Sequence, residues 1–471
     1  GTNAKMFFES ILINVSVMLV LIGALIFDYV TKFFSYWYIR HVQYKMPLPF
    51  FGSDYHRVLG LRSTTDEVDA LYTKYPKEKY VGCIKSRIPD LIVKDPEAVR
   101  KTLSTDFSNF HYRGCELDKS RDICLRNNLF YAEGEKWTFL RRKYELLLKH
   151  MSDDIQDSLH DCVSGSSGDL RVQQILTGIL DVVFKDLLLD NNVDTSVIKN
   201  IRETMEKRSL GGKLKSYLKD IFPSVYVLFG FSDVSAAHLK ELNKYSSSSR
   251  LLKCIKKVDV LTNDELNVNR KIKLQESDYF YSSFLLFISE GYIPCYNVLV
   301  ALLYELALHQ DVQNQARKCA VNSDDDYLNR VIKETLRLHP PYSVITRKCT
   351  RTYTFPEQDF HINNGMNITV PVANLHKDEA FFKKSKEFYP DRFSDSESEK
   401  TPAFLPFGLG PRQCIGEQLA LKIVRSVTCA ILKKFKIEKT DKTPTSLPVV
   451  DYNLKRVIDK DIWLRFQPIE S

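Results

Sequence analysis

Hydrophobic and polar positions repeat every three to four residues along most of the chain, which is the pattern of amphipathic helices. The pattern predicts helices over residues 66–75, 96–102, 137–151, 173–189, 194–207, 279–308, 324–338 and 417–434. Short runs rich in β-branched and aromatic residues predict strands over residues 80–84, 91–93, 367–372 and 461–466. The expected fold class is therefore mainly α with a small β region.

An apolar segment lies close to the start of the chain. Residues Ile11 to Phe27 include no charged side chain, and Tyr29 and Val30 extend this run toward the length that spans a bilayer. A buried core helix and a cleaved signal peptide are the alternatives. Aromatic residues follow the run where a small-x-small cleavage site would be needed, which favours an uncleaved anchor. Basic residues after the run outnumber Lys5 before it, so the body is expected on the cytosolic side.

These features predict three segments. We expect a membrane anchor over residues 1–30, a linker with aromatic, basic and proline residues over 31–52, and one large domain over 53–471. The aromatic residues of the linker are expected to form a belt at the membrane interface. A second apolar stretch, residues 221–229, is either core or a shallow second membrane contact.

Composition narrows the class of protein. The chain has 471 residues, of which 44% are hydrophobic and 27% charged, so a disordered or polytopic membrane protein is not expected. The net charge of +8 suits an acidic protein partner or an anionic membrane surface, and no nucleic-acid partner is indicated. Ten cysteines occur without a Cys-x-x-Cys pair, so we expect reduced intracellular thiols, of which one is a candidate ligand.

The strongest chemical signal is the segment Pro406 to Gly416, which is rich in glycine and contains Cys414. Its glycines allow an irregular backbone to approach a flat ligand closely. Gln413 occupies the third position of the apparent Gly-x-Gly-x-x-Gly pattern and no strand precedes it, so a dinucleotide loop is not expected. A helix is predicted just after Cys414, and its amides together with Arg412 are expected to lower the pKa of the thiol. Such a thiolate is a good axial ligand for haem iron.

The residues Phe407, Gly410, Arg412, Cys414 and Gly416 match a Phe-x-x-Gly-x-Arg-x-Cys-x-Gly motif. Through this motif the chain resembles the cytochrome P450 (haem-thiolate) family. The resemblance covers nearly the whole chain and is closest to animal microsomal enzymes, especially insect members that metabolise xenobiotics. It implies the cytochrome P450 fold behind a transmembrane anchor, haem b as cofactor, Cys414 as the axial ligand of its iron, and Phe407 at the cofactor site.

The same resemblance implies a buried ion network behind the haem. Glu334 and Arg337 match the Glu-x-x-Arg pair of the family, and Arg392 of a Pro-x-Arg-Phe segment is the expected third member. Two histidines outside these motifs, His309 and His376, are expected on the surface or in loops.

Four further residues are implied to bind the haem propionates together with Arg412. Trp137 and Arg141 are four residues apart and point the same way on a helix. Arg347 matches another propionate-binding arginine of the family, and Arg113 is a further candidate. A guanidinium group suits a carboxylate because it donates two parallel hydrogen bonds.

The chain departs from the family at the oxygen-activating stretch, which falls at residues 290–295. Gly291 fits the family pattern, but Ile293 stands at the usual acid position and Pro294 at the usual alcohol position. Neither side chain can carry the protons that cleavage of dioxygen requires. Glu290, a further catalytic candidate beside Gly291, is either a displaced acid or a residue that faces a solvated groove.

The expected function is a monooxygenase that inserts one oxygen atom from O₂ into small lipophilic substrates such as xenobiotics, steroids or lipids. Its expected partners are membrane lipid and NADPH–cytochrome P450 reductase, with cytochrome b5 as a second electron donor. The reductase is expected on a basic face near Arg141, Arg142 and Lys143, with the anchor in the endoplasmic reticulum membrane. A haem-thiolate isomerase or dehydratase of oxygenated lipids, and a degenerate haem-binding protein, are the alternatives suggested by Ile293 and Pro294.

Overall fold

A computed structural model describes most of the chain: residues 2–49, 51–85, 88–151, 167–190, 192–206, 209–265, 275–324, 326–452 and 454–469. Residue 207, the predicted end of one helix, and Cys162 lie outside the described residues.

Helices form most of the fold. Those of eight or more residues span Thr2–Tyr29, Thr64–Lys74, Gly134–Met151, Val172–Leu188, Ser196–Met205, Leu210–Ile221, Ala236–Ser246, Arg250–Glu265, Glu276–Leu286, Ile293–Leu308, Gln310–Asn322, Asp326–Leu338 and Glu417–Lys434. Shorter α-helices span Tyr36–Ile39, Tyr55–Val58, Pro96–Arg100, Ile123–Arg126, Pro223–Leu228, Val372–Leu375 and Glu397–Lys400. Turns of π-helix cover Val30–Phe34, Lys101–Thr105 and Phe287–Tyr292, and 3₁₀ turns cover Phe107–Asn109, Pro390–Phe393 and Gly410–Arg412.

The strands form small sheets at the edges of the helical body. The largest has four strands, in the order Tyr80–Lys85, Ile88–Val93, Asn367–Val370 and Ile345–Lys348. Its two central strands are parallel and its outer pairs are antiparallel. A three-stranded antiparallel sheet has the order Gly168–Arg171, Trp463–Pro468 and Phe435–Lys439. Two antiparallel pairs complete the β region: Val449–Tyr452 with Lys455–Ile458, and Tyr353–Thr354 with His361–Ile362.

The predicted fold class is confirmed, and the predicted helices and strands occur with ends shifted by a few residues. The helix predicted over 417–434 coincides with Glu417–Lys434. The strand predicted over 367–372 ends at Val370, because Pro371 has no N–H for the ladder and a helical turn begins at Val372. The helices Leu210–Ile221 and Ala236–Ser246 were not predicted, because their polar faces leave short apolar stripes.

The N-terminal helix is a candidate membrane anchor. The segment Glu9–Phe34 is long and apolar enough to cross a bilayer and is 0% buried in the protein. The segment Glu276–Leu308 also passes this test of length and composition, but 67% of it is buried, as expected for a core helix. The boundaries of anchor, linker and body remain predictions.

The expected aromatic belt is wrong for Tyr36 and Trp37, which belong to the core next to the four-stranded sheet. Trp37 is fully buried and its indole N–H donates to the carbonyl of Cys83 at 2.8 Å. Its ring lies directly over Gly82, where a Cβ atom would come within 2.5 Å of the indole. The chain therefore packs on the body within a few residues of the end of the candidate anchor.

The buried ion network is confirmed. Arg337 donates through two nitrogens to the carboxylate of Glu334 at 2.9 and 2.8 Å, and Arg392 Nε lies 3.0–3.1 Å from both oxygens of the same carboxylate. Glu334 and Arg337 are completely buried. The remaining nitrogen of Arg337, Nη1, donates to the backbone carbonyls of His376 and Ser385, each at 2.7 Å.

The expectation that His376 lies on the surface is wrong, because this side chain is fully buried beside the ion network. Its Nδ1 lies 3.1 Å from the carbonyl of Arg337, and its Nε2 accepts the N–H of Leu405 at 2.8 Å. Burial lowers the pKa of His376 to about 3, so the ring is neutral and Nε2 can act as an acceptor. His376 thereby connects the ion network to the start of the cysteine-containing loop.

The contact between Gly82 and Trp37 gives the first prediction. Gly82→Ala forces the indole to move, and we expect the free energy of unfolding to fall by about 1–3 kcal/mol, the usual cost of overpacking a core. Denaturant unfolding of the full chain in detergent measures this change. Gly178→Ala is the matched control: it lies on an exposed helix face with no atom within 4 Å of the added methyl group. This control should be neutral or stabilising by up to about 1 kcal/mol, and an equal loss in both variants would contradict the prediction.

Candidate cofactor site

The cysteine-containing loop has a tightly constrained backbone. Gly408 and Gly410 have φ angles of +76° and +74°, a region that favours glycine. A Cβ atom at Gly410 would lie 2.1 Å from the carbonyl oxygen of Leu103, so this loop packs directly on neighbouring backbone. The N–H of Cys414 donates to the carbonyl of Phe407 at 2.8 Å and closes the loop just before the helix Glu417–Lys434.

The loop faces a cavity of about 230 Å³. The cavity brings together all the site residues predicted from the sequence: Arg113, Trp137, Arg141, Glu290, Gly291, Arg347, Phe407, Arg412 and Cys414. These residues come from segments spread over most of the chain, so their convergence does not follow from any one motif. Most of the exposed lining surface is apolar, with contributions from Leu129, Phe130, Phe184, Phe287, Val344, Val372 and Ile423.

One wall of the cavity carries buried positive charge without matching partners. Arg113 Nε, Arg347 Nε and Arg412 Nη1 are buried and have no hydrogen-bond partner among the residues that the structure describes. The nearby carboxylate of Glu133 accepts from Arg412 Nη2 at 2.8 Å. Burial and the charge of Arg113 together lower the pKa of Arg347 well below its usual value and that of Arg412 to about 9. A ligand with carboxylate groups would satisfy the free nitrogens and balance the charge, as the two propionates of haem do.

The thiol of Cys414 is exposed to this cavity. The expectation that its pKa is lowered is wrong for the protein alone. Burial raises the pKa to about 11, although the N–H of Gly416 and the charge of Arg141 both lower it. The cation that lowers this pKa is Arg141, whereas Arg412, the expected source of charge, donates through Nε to the carbonyl of His111 at 2.7 Å. A metal cation bound at the sulfur would provide the charge that stabilises a thiolate.

The thiol has no partner ligands from the protein. The described part of the chain contains no group of three or more His, Cys, Asp or Glu side chains that could hold a metal ion. A single thiol therefore fits a metal that arrives with its other ligands, as iron does within haem. The open lining at Cys414, the glycine loop and the unpaired guanidinium nitrogens all fit this group.

Trp137 and Arg141 support the loop and the arginine cluster. Arg141 Nη1 donates to the carbonyl of Gln413 at 2.6 Å and so holds the residue next to Cys414. The ring of Trp137 lies 4.8 Å from the guanidinium carbon of Arg412 in a cation–π contact.

Sequence reasoning missed His111, which lies between these groups. Its ring makes an edge-on contact with Trp137 at 5.1 Å, and its Nδ1 is buried without a hydrogen-bond partner. Burial and the charges of Arg412 and Arg347 lower its pKa to about 4. His111 stands two residues before Arg113 in the sequence, but it belongs to no motif whose spacing identifies a site residue.

The oxygen-activating stretch lies on an interrupted helix above the thiol. A π-helical turn, Phe287–Tyr292, joins Glu276–Leu286 to Ile293–Leu308, and the N–H of Ile293 donates to the carbonyl of Ile288 with π spacing. Gly291 and Pro294 line the cavity. Glu290 does not face an open groove, because its side chain is only 14% exposed and pairs with Lys455 at 2.8 Å.

One residue of the expected basic face near Arg141, Arg142 and Lys143 is not accessible to a partner protein. Lys143 is buried, pairs with Asp259, and lies 4.3 Å from the ring centre of Tyr279. It therefore cannot contact a partner protein. Arg142 is exposed on the same helix.

A mainly α fold with a single thiol on a glycine loop, opposite buried guanidinium groups that lack partners, defines a haem-thiolate enzyme. Comparison with known proteins agrees: the cytochrome P450 family model matches residues 258–451. Over these residues the chain is similar to the cytochrome P450 family. It is accordingly a monooxygenase whose cofactor is haem held by a cysteine thiolate, and it requires a redox partner.

Similar proteins from insects cover nearly the whole chain. The chain is 28% identical to cytochrome P450 6B2 of Helicoverpa armigera over 93% of this chain and 94% of the relative. It is 26% identical to cytochrome P450 6j1 of Blattella germanica over 95% of this chain and 96% of the relative. Cytochrome P450 6B1 of Papilio polyxenes is 24% identical over 90% of this chain and 94% of its own length. These relatives are insect cytochromes P450, the group that the sequence motifs resemble.

The unpaired nitrogens give a prediction about cofactor retention. Arg347→Met and Arg412→Met each remove charge-assisted hydrogen bonds worth about 1.5–3 kcal/mol, so haem should dissociate roughly 10- to 100-fold faster. Transfer of haem to excess apomyoglobin measures the rate. Arg351→Met is the control, because Arg351 is exposed near the same strand. Unchanged dissociation in the two cavity variants would contradict the assignment.

Proposed function

We propose that Cys414 is the axial ligand of the haem in a membrane-anchored monooxygenase that oxidises small lipophilic molecules. The observation that carries this proposal is the position of one thiol opposite three buried, unpaired guanidinium nitrogens across an apolar cavity. Xenobiotics, steroids and lipids all have the apolar character that this lining favours.

Each residue of the site has a role in this proposal. Arg113, Arg347 and Arg412 bind the haem carboxylates through the nitrogens that have no protein partner. Trp137 covers the guanidinium of Arg412, and Arg141 fixes the loop through Gln413. A haem held by these residues would supply the chemistry for reductive cleavage of O₂, in which one oxygen atom goes to the substrate and the other to water.

We further propose that the body rests on the membrane through an exposed apolar patch. The patch consists of side chains from two neighbouring segments: Leu59 and Leu61, with exposures of 59% and 68%, and Leu210, Leu214, Leu228 and Phe229, with exposures of 58–86%. Tyr217 donates to the carbonyl of Val58, which joins the two segments. An apolar face of this size suits a lipid surface, and the anchor Glu9–Phe34 would hold it there.

The proposed location is the endoplasmic reticulum membrane with the body in the cytosol. Electrons would come from NADPH through NADPH–cytochrome P450 reductase, with cytochrome b5 as a second donor. The net charge of +8 favours acidic partners, and Arg142 is an exposed cation on the helix that also carries Arg141.

The ligand assignment is tested by removing the thiol. Cys414→Ser should abolish the thiolate-type band in the reduced carbon-monoxide difference spectrum and with it the NADPH-dependent oxidation of a lipophilic probe substrate. Cys295→Ser is the matched control, because Cys295 is a second thiol that lines the same cavity. The control should keep the band. Persistence of the band in Cys414→Ser, or product lacking oxygen from labelled O₂ in the unaltered protein, would overturn the proposal.

The membrane contact is tested with tryptophan as a depth probe. Phe229→Trp places the probe in the apolar patch, whereas Val260→Trp places it at an equally apolar exposed position outside the patch. In vesicles with brominated lipids, the added fluorescence at residue 229 should be quenched and that at residue 260 should not. Equal quenching at the two positions would argue against this orientation.

A further inference from the structure

A second, smaller cavity of about 80 Å³ adjoins the cofactor cavity. Its lining is rich in charged and polar side chains: Asn128, Tyr131, Glu206, Lys219, Asp233, Ser289, Glu290 and Lys455. Such a lining suits water, since each water molecule finds several hydrogen-bond partners. Glu290 is the residue that lines both cavities among those described.

The two oxygens of the Glu290 carboxylate have partners on opposite sides. Oε1 accepts from Lys455 Nζ at 2.8 Å and from the Ser289 hydroxyl at 3.2 Å, and both of these residues line the polar cavity. Oε2 accepts from the hydroxyl of Tyr342, which lines the cofactor cavity and stacks on Phe130 at 5.7 Å. The carboxylate thus forms a continuous hydrogen-bonded bridge between the two cavities.

Pro294 helps to place the cation of this bridge. The N–H of Ile293 donates to the carbonyl of Ile288 with π spacing, and in the same register the carbonyl of Ser289 would face Pro294, which has no N–H. Lys455 Nζ donates to this Ser289 carbonyl at 2.8 Å. The proline that replaces the usual alcohol therefore leaves an acceptor that binds Lys455 beside Glu290.

The carboxylate is held ionised in this setting. Burial raises the pKa of Glu290, but the charge of Lys455 and hydrogen bonds from Lys455, Tyr342 and Ser289 lower it further, so the net shift is downward. An ionised carboxylate beside an ammonium group can accept a proton from it and pass the proton on.

We propose that Lys455, Glu290 and Tyr342 carry protons from the polar cavity into the cofactor cavity, in place of the acid and alcohol that are missing at Ile293 and Pro294. This relay rests on the proposed function and deepens it. Lys455 Nζ gives a proton to Oε1 of Glu290. The Tyr342 hydroxyl turns from Oε2 and releases its proton into the cofactor cavity. The protonated carboxyl then rotates and gives its proton to the phenol oxygen, which restores the hydroxyl. Water in the polar cavity restores the Lys455 ammonium. Two such passages supply the two protons that, with two electrons from the reductase, turn one oxygen atom of O₂ into water.

The relay is tested with Glu290→Gln and Tyr342→Phe. Product formed per NADPH consumed should fall about 10²-fold, the lower range for a positioned proton donor, while NADPH consumption continues and hydrogen peroxide accumulates. Turnover supported by added hydrogen peroxide should be retained, because the peroxide brings its own protons. Tyr342→Phe keeps the ion pair of Glu290 with Lys455, so it tests the relay even where Glu290→Gln fails to fold.

Asp278→Asn is the matched control. It removes a carboxylate of the helix Glu276–Leu286 that pairs with Arg126 at 2.6 Å and lines neither cavity. In this variant, NADPH consumption should stay coupled to product formation. A readout independent of turnover is the infrared carboxylate band of Glu290 in the resting protein. Glu290→Gln should remove this band and Tyr342→Phe should shift it. Asp278→Asn should remove only its own carboxylate band and leave the Glu290 band unshifted.

The outcomes separate the relay from the proposed function. An active, coupled unaltered protein with equally coupled Glu290→Gln and Tyr342→Phe would overturn the relay and leave the monooxygenase assignment intact. A change confined to KM would also overturn the relay, because it would make these residues part of substrate binding. Loss of NADPH-dependent product in the unaltered protein itself would instead count against the proposed function.

Discussion

The carboxylate of Glu334 is the interaction on which the position of the cofactor site depends. It is completely buried and binds both Arg337 and Arg392, so its charge is balanced by neighbours from two segments far apart in sequence. Removing one partner of such a network leaves a buried charge unpaired, at a cost of about 3–5 kcal/mol. Arg337 also binds the carbonyl of His376, and His376 accepts the N–H of Leu405 at the start of the cysteine loop. A continuous chain of hydrogen bonds thus runs from the buried network to the loop that carries Cys414.

The contrast between two groups of arginines explains why one is structural and the other is available for a ligand. Every nitrogen of Arg337 has an acceptor within the protein. Arg347 and Arg412 are almost as deeply buried, yet each leaves a nitrogen without one. A buried donor without an acceptor destabilises the folded protein. A carboxylate ligand in the cavity would supply the acceptor and remove this free-energy cost. The same unpaired side chains therefore lower the stability of the protein without cofactor and raise its affinity for the cofactor.

What the sequence could predict depended on whether the relevant contacts are local. Cys414 and the glycines around it form one contiguous segment, and the helix that follows is amphipathic, so motif and periodicity were enough. Lys143 and His376 were placed wrongly because their partners, Asp259 and Leu405, lie far away in the sequence. The prediction of a lowered pKa for the Cys414 thiol was wrong for a related reason. Local amides and charge lower the pKa as predicted, but burial by the whole fold raises it by more.

The departure from the family pattern at Ile293 and Pro294 also depends on contacts that are distant in the sequence. In the sequence it is a loss, since both positions lack a group that can carry a proton. In the fold, the π-helical turn absorbs the missing N–H of proline, and the carbonyl of Ser289 binds Lys455 from a strand near the end of the chain. The same lysine then fixes the charge of Glu290. The loss of proton-carrying side chains at Ile293 and Pro294 thus coincides with an ion pair between the neighbouring Glu290 and Lys455. Only the tertiary contact between this helix and the strand that carries Lys455 connects the two features.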